Sequence, residues 1–176
     1  MNWQYYSTVY LLIGGNIGDR WAHLEQAATL IGACCGTITE RSPVYETAAW
    51  GLTDQAPFLN QALRLQTSGT AEWLMKQLLQ IEEQMGRIRE KRYGPRIIDI
   101  DILLFNDEIH TTSLVTIPHP EMPKRRFALQ PLADLAPAVQ HPVLKKSIAE
   151  ILAVCPDELP VKKVQRPAAG NAGPEL

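Results

Sequence analysis

The chain has 176 residues, 45% of them hydrophobic, with 17 basic and 19 acidic side chains for a formal charge of -2. That length supports one well-packed core, and the near-cancelling charge argues against a general polyanion-binding surface. No apolar run approaches the roughly 20 residues that span a bilayer, and the N-terminus lacks a basic signal-peptide region, so neither membrane insertion nor export is expected.

Taken in chain order, Ser7 to Ile13 reads as a strand, with Val9, Leu11 and Ile13 on one face, ending in a Gly14-Gly15-Asn16 turn. Leu24, Ala27, Ala28 and Ile31 recur at helical spacing, with Asp19 as N-cap and Gly36 as the stop. Strands are expected over Ile38 to Tyr45 and Phe58 to Thr67. Thr70 then caps a second helix whose Leu74, Leu78, Ile81 and Met85 form one stripe.

Beyond Gly86 the chain turns basic, with Arg87, Arg89, Lys91, Arg92 and Arg96, and enters the segment YGPRIIDIDILLF from Tyr93 to Phe105. The order is β-α-β-β-α-β, a split βαβ arrangement with an antiparallel sheet covered on one face by two helices. A hairpin around Glu108 to Thr116 and helices over Phe127 to Leu135 and Ser147 to Val154 follow. From Pro156 to Leu176 apolar periodicity is lost, and a frayed tail is expected beyond a domain spanning residues 1–155. Three cysteines, Cys34, Cys35 and Cys155, lack disulfide or metal-ligand spacing and suit a reducing cytoplasm as small buried groups.

Alternation puts Ile98, Ile100, Ile102 and Leu104 on one strand face and Ile97, Asp99, Asp101 and Leu103 on the other. The two acids then lie roughly 6.6 Å apart along the strand, close enough to raise one another's pKa unless a cation intervenes. Either they pair with nearby arginines, or they hold a hard cation such as Mg²⁺, which takes carboxylate, water and phosphate oxygens. The basic loop is equally a solvated turn or a set of guanidinium forks for phosphate. His119, between two prolines, either binds phosphate or bonds a neighbour; Lys124, Arg125, Arg126 and Phe127 follow it. No Gly-x-x-x-x-Gly-Lys-Ser/Thr loop is present, which excludes a P-loop enzyme.

The run from Arg92 to Phe105 matches the Arg-x-Gly-Pro-Arg-x-x-Asp-x-Asp signature of the 6-hydroxymethyl-7,8-dihydropterin pyrophosphokinases, and the chain resembles that family from about Thr8 to Ala153. Tyr45-Glu46-Thr47, Phe58-Leu59-Asn60-Gln61-Ala62, Ile81-Glu82 and Ile117-Pro118-His119 extend the likeness. The resemblance implies a ferredoxin-like α+β fold and transfer of the β,γ-diphosphate of ATP to the pterin hydroxymethyl group, releasing AMP, in folate biosynthesis. It implies that Asp99 and Asp101 hold two Mg²⁺ ions, and that Arg87, Arg96 and Asp101 serve the chemistry. ATP is assigned to Glu82, Arg89, Arg96, Ile102, Thr116, His119 and Arg125. The pterin is assigned to Phe58 and Phe127 as stacking faces, with Thr47, Ala48, Trp50 and Asn60 on its polar edge. A cytoplasmic monomer acting on small molecules, with neither nucleic acid nor membrane as partner, is the expectation. Ala48-Ala49 stands where relatives commonly carry Pro-Pro, and Tyr93 where some carry Trp.

Two other classes fit a paired-acid sheet. A nucleotidyltransferase would leave a nucleotidyl group on the acceptor and release diphosphate. An RNA-recognition module would want exposed aromatics on the central strands, where this chain has Asp99 and Asp101.

Overall fold

The computed structural model describes residues 5–49, 54–88 and 94–168. At its centre is β1 (Ser7–Gly15), flanked by β4 (Phe58–Thr67) on one side and β5 (Asp99–Phe105) on the other, both antiparallel to it. Next to β4 runs β3 (Val44–Thr47), and outside that β8 (Val161–Val164), giving the order β5-β1-β4-β3-β8. β2 (Thr37–Arg41) also pairs with β4. A small hairpin, β6 (His110–Thr111) and β7 (Thr116–Ile117), stands apart where a hairpin was expected.

Helices α1 (Arg20–Cys34) and α2 (Ala71–Gln84) start at the expected caps. Asp19 accepts from the Ala22 amide and Thr70 from the Trp73 amide, each satisfying an N-terminal N–H the helix leaves unpaired. Their stripes, Leu24, Ala27, Ala28 and Ile31 with Leu74, Leu78 and Ile81, pack on Val9, Leu11, Ile13, Ile98, Ile100 and Ile102. Helices α3 (Arg126–Leu135) and α4 (Ile148–Ala153) cover the opposite face, where Leu129, Leu132, Ile148 and Ile151 meet Tyr10, Leu12, Leu103 and Leu104. The sheet is thus covered on both faces rather than one, and the continuous apolar run Val9 to Ile13 is buried on both sides accordingly.

Two further differences lie within the sheet. Leu104 does not share the isoleucine face. A β-bulge shifts the register between Tyr10 and Leu11, so Leu11 lies opposite Ile102 while Tyr10 lies opposite Leu104. The bulge sends Leu104 to the α3 side and returns Phe105 to the α1 side. The strand expected over Ile38 to Tyr45 is two, broken at Ser42-Pro43, where proline has no N–H for the ladder. Ser42 repairs the break by donating its amide to the Ala62 carbonyl and accepting the Ala62 amide on its Oγ, each at 2.9 Å.

Within the segment expected to fray, Val161–Val164 forms β8 along the β3 edge, with Lys162 and Lys163 exposed, a usual device for blunting an edge strand. Its approach is tied to α3 through Asp157, which accepts from the Arg126 amide at 3.0 Å and, on its carbonyl, from Arg126 Nε at 2.8 Å. Cys35 and Cys155 are buried free thiols, whereas Cys34 is exposed. Among the described residues no helix is long and apolar enough to cross a membrane.

Candidate active site

Antiparallel pairing aligns the ends of four strands at one rim of the sheet. Gly14 sits opposite Asn60 on one side and Asp99 on the other, and Thr47 sits opposite Phe58. The resulting cleft lies on the α3 side, with Leu12 and Gly14 as its floor. Asp99, Asp101, Arg96 and Arg125 line one part, and Thr47, Ala48, Phe58, Asn60 and Phe127 the other. Most residues singled out from sequence therefore share one cavity. Trp50 and Arg89 lie outside the described residues, as do Arg92 and Tyr93 of the signature.

The two aspartates have different surroundings. Asp99 is gripped by two guanidinium groups: Arg87 Nη1 donates to its Oδ1 at 2.5 Å and Arg96 Nη1 to its Oδ2 at 2.6 Å. Burial alone would raise its pKa, but Arg87 and Arg96 outweigh that and hold the carboxyl below the usual range. Asp101 Oδ1 instead faces His119 Nε2 at 3.9 Å. Burial, then the charges of Asp99 and Glu82, push the Asp101 carboxyl up to about 8. Pairing with arginine thus accounts for Asp99, while Asp101 is left wanting positive charge.

His119 is oriented by its backbone. Its amide donates to the Leu103 carbonyl at 3.0 Å, and its Nδ1 accepts from the Glu121 amide at 3.2 Å. With Nδ1 an acceptor, the neutral ring carries its proton on Nε2, the nitrogen turned toward Asp101. Burial and the neighbouring Arg125 lower its pKa and favour that neutral form.

In the other part of the cleft, Asn60 is 5% exposed and donates from Nδ2 to Thr47 Oγ1 at 3.2 Å. Two cations approach the aromatic walls: Arg96 lies 5.9 Å from the Phe58 ring centroid and Arg125 5.9 Å from that of Phe127. Gly14 is required here, because a Cβ on it would fall 2.1 Å from Asn60 Oδ1.

Other residues named from sequence sit elsewhere. The Ile102 side chain is 1% exposed and packs in the α1/α2 core. Thr116 is exposed on β7. Glu82, 3% exposed on α2, accepts from the Ile100 amide at 2.8 Å and pairs with Arg87 at 2.7 Å. That buried carboxylate ties α2 to β5 and aims Arg87 at Asp99. Glu82→Ala would take from Arg87 one of its two carboxylate partners, leaving Asp99, and would strand the buried Ile100 N–H. It should cost about 3 kcal/mol, seen as a lower urea midpoint, with Glu82→Gln recovering the part owed to the Ile100 bond. A midpoint unchanged in Glu82→Ala would contradict this.

An acid held by two arginines, a second acid beside it and an aromatic slot edged by an amide are the groups that a phosphotransfer enzyme acting on a flat heterocycle would need. The model of the 7,8-dihydro-6-hydroxymethylpterin-pyrophosphokinase (HPPK) family matches residues 10–137. The chain belongs to this family. It is similar to the 2-amino-4-hydroxy-6-hydroxymethyldihydropteridine pyrophosphokinase of Bacillus subtilis (strain 168), with 45% identity over 132 residues, 74% of this chain and 79% of the relative. For the enzyme of that name from Aquifex aeolicus the identity is 40% over 144 residues, 82% and 89% of the two chains. A crystal structure of wild-type Plasmodium falciparum HPPK-DHPS with pterin and p-hydroxybenzoate shares the fold, with TM-score 0.66 and 20% identity, over 85% of this chain and 42% of that one.

Proposed function

We propose that the protein transfers the β,γ-diphosphate of ATP to the hydroxymethyl oxygen of 6-hydroxymethyl-7,8-dihydropterin, releasing AMP, as a step of folate biosynthesis. The observation that carries this reading is the shared cleft: Asp99 and Asp101 lie in one cavity with a Phe58/Phe127 slot edged by Asn60. A pterin ring gains from aromatic faces, and an amide offers both donor and acceptor to its mixed polar edge.

The donor set fits Mg²⁺. Among the described residues no group of three or more His, Cys, Asp or Glu could hold a metal, but Mg²⁺ at phosphates commonly takes only one or two carboxylates. Asp99 and Asp101 are those two, and the raised Asp101 carboxyl marks a place where positive charge is missing. When bound, the two ions would neutralise phosphate oxygens and lower the pKa of the attacking hydroxyl.

The chain's own groups do the rest. Arg96 and Arg125 bring positive charge to the phosphate side, and Arg87 reaches it through Asp99. His119 Nε2–H is turned into the same region as a donor for a phosphate oxygen. Asp101 is the carboxylate assigned to the hydroxyl proton, since it lines the cleft and, unlike Asp99, is not gripped by Arg87 and Arg96. Phe58, Phe127 and Asn60 hold the hydroxymethyl group in line for attack on the β-phosphorus. Glu82 acts through Arg87, and Arg89, Ile102 and Thr116 keep the ATP assignment that the resemblance gives them.

The order β5-β1-β4-β3, with α1 and α2 on one face, supports assigning the core to the ferredoxin-like class. The catalytic domain, expected to end at residue 155, is taken to run on through β8, which completes the same sheet, in a cytoplasmic monomer. Product analysis tests the activity: ATP, Mg²⁺ and the reduced hydroxymethylpterin should yield AMP and a diphosphorylated pterin in equal amounts. Formation of ADP alone, or of free diphosphate with a nucleotidylated pterin, would defeat it.

A further inference from the structure

We infer that Asn16 is a positioning residue that couples the two halves of the cleft, because its one side-chain amide holds both the backbone at Arg96 and the segment that leads into Phe58. The inference rests on the function proposed above and goes beyond it, since Asn16 is itself assigned to neither substrate and acts only through the backbone of residues that are.

Asn16 follows the glycine pair at the end of β1 and is 6% exposed. Its Oδ1 accepts from the Arg96 amide at 2.9 Å, and its own amide donates to the Arg96 carbonyl at 2.9 Å. From the other end of the same side chain, Nδ2 donates to the Ala56 carbonyl at 2.9 Å and to Gln55 Oε1 at 3.1 Å. The orientation of the amide is fixed, because a backbone N–H and a backbone carbonyl stand at its two ends and a flipped amide would fail both.

Each tether leads directly to the chemistry. Two residues after Ala56 comes Phe58, one wall of the pterin slot. Arg96 grips Asp99 at 2.6 Å and lies 5.9 Å from the Phe58 ring. Arg20, at the start of α1, reinforces the pterin side by donating to the Pro57 carbonyl at 2.8 Å and to Glu46 at 2.9 Å. The turn is also pressed against the phosphate-side backbone, since a Cβ on Gly15 would fall 2.1 Å from the Ile97 carbonyl. The segments at 55–57 and at 96 therefore share a rigid support. Any shift of the Arg96 backbone on meeting phosphate is carried through the Asn16 amide to the segment at 55–56 that leads into Phe58, a contiguous route by which binding on one side biases the other.

The variant that separates the halves is Asn16→Asp. It retains an acceptor for the Arg96 amide but turns an oxygen toward the Ala56 carbonyl, so the phosphate-side tether survives and the pterin-side one is repelled. The measurement is the affinity for 6-hydroxymethylpterin by calorimetry, with and without saturating α,β-methylene-ATP and Mg²⁺. In the wild type the nucleotide analogue should tighten pterin binding by about tenfold, within the usual range for coupled sites. In Asn16→Asp that ratio should fall to about one while affinity for the analogue alone changes less than about threefold.

A general loosening of structure would instead weaken both ligands and leave the ratio intact, and that result would overturn the inference. Should Asn16→Asp fail to melt cooperatively, Asn16→Ser carries the same expectation, since serine cannot span both tethers. A wild-type protein that binds neither ligand would overturn the functional reading and this inference with it. Binding of both with an unchanged ratio in the variant overturns the inference alone.

Discussion

Asp101→Asn should lower kcat by about three orders of magnitude or more, the scale on which several kcal/mol of charge stabilisation is lost at 1.36 kcal/mol per tenfold. The same variant should fold at least as well as the wild type. In the wild type the Asp101 carboxyl is pushed up to about 8 by burial and by Asp99 and Glu82, against an ordinary value near 3.8. The folded state therefore keeps a proton that the unfolded chain releases. Between those two pH values the native state binds more protons than the unfolded state, so stability falls as pH rises through that window. Asparagine does not titrate, and its isosteric amide removes the repulsion from Asp99. The melting temperature of Asp101→Asn should match the wild type near pH 4 and exceed it increasingly toward pH 8, in metal-free buffer. Retained turnover, or a stability difference that shrinks with rising pH, would contradict the assignment.

That division of labour between two aspartates was only half legible in the sequence. Strand alternation sufficed to put Asp99 and Asp101 on one face, because it needs no knowledge of partners. It could not tell which acid the arginines would take. Arg87 is twelve positions before Asp99, and it reaches Asp99 only because Glu82, on the preceding helix, turns it there. The same limit hid the structural role of Glu82, which the resemblance assigned to ATP. Among the α2 residues it continues the buried stripe, and its bond to the Ile100 amide is visible only once α2 lies on β5.

Helix caps and helix stripes were legible for the opposite reason, since Asp19, Thr70 and their partners are three residues apart or less and tertiary contact hardly alters them. The bulge that moves Leu104 and the pairing that recruits Val161–Val164 depend on β1 and β3, and neither segment carries a local signal for them. Asn16 was visible as part of a turn after glycine. Its burial, which makes each of its hydrogen bonds consequential, was not.

Gly14→Ala should abolish the pterin half of the site while sparing the nucleotide half. Gly14 is the floor between the two, paired with Asn60 across one edge of β1 and with Asp99 across the other. An added Cβ would lie 2.1 Å from Asn60 Oδ1 and 2.9 Å from the Leu59 carbonyl. Real carbon atoms do not approach so closely, so the Asn60 side chain must leave its place beside Thr47. The Leu59 contact involves backbone, which yields less readily, and overpacking of this kind costs about 1–3 kcal/mol of stability. Loss of a buried amide that reads a heterocycle edge should weaken pterin binding by about a hundredfold or more, since the polar edge is left unpaired.

Nucleotide affinity should change little, because the nearest atoms to the new methyl belong to Asn60 and Leu59 rather than to Asp99. A double-variant cycle separates the two consequences. Combining Gly14→Ala with Asn60→Ala should cost no further pterin affinity, since the amide is already displaced, but should recover part of the stability by relieving the 2.1 Å contact. Additive losses in pterin affinity would mean that Asn60 still reads the ring in Gly14→Ala. The bare backbone at Gly14 would then serve the sheet and not the site.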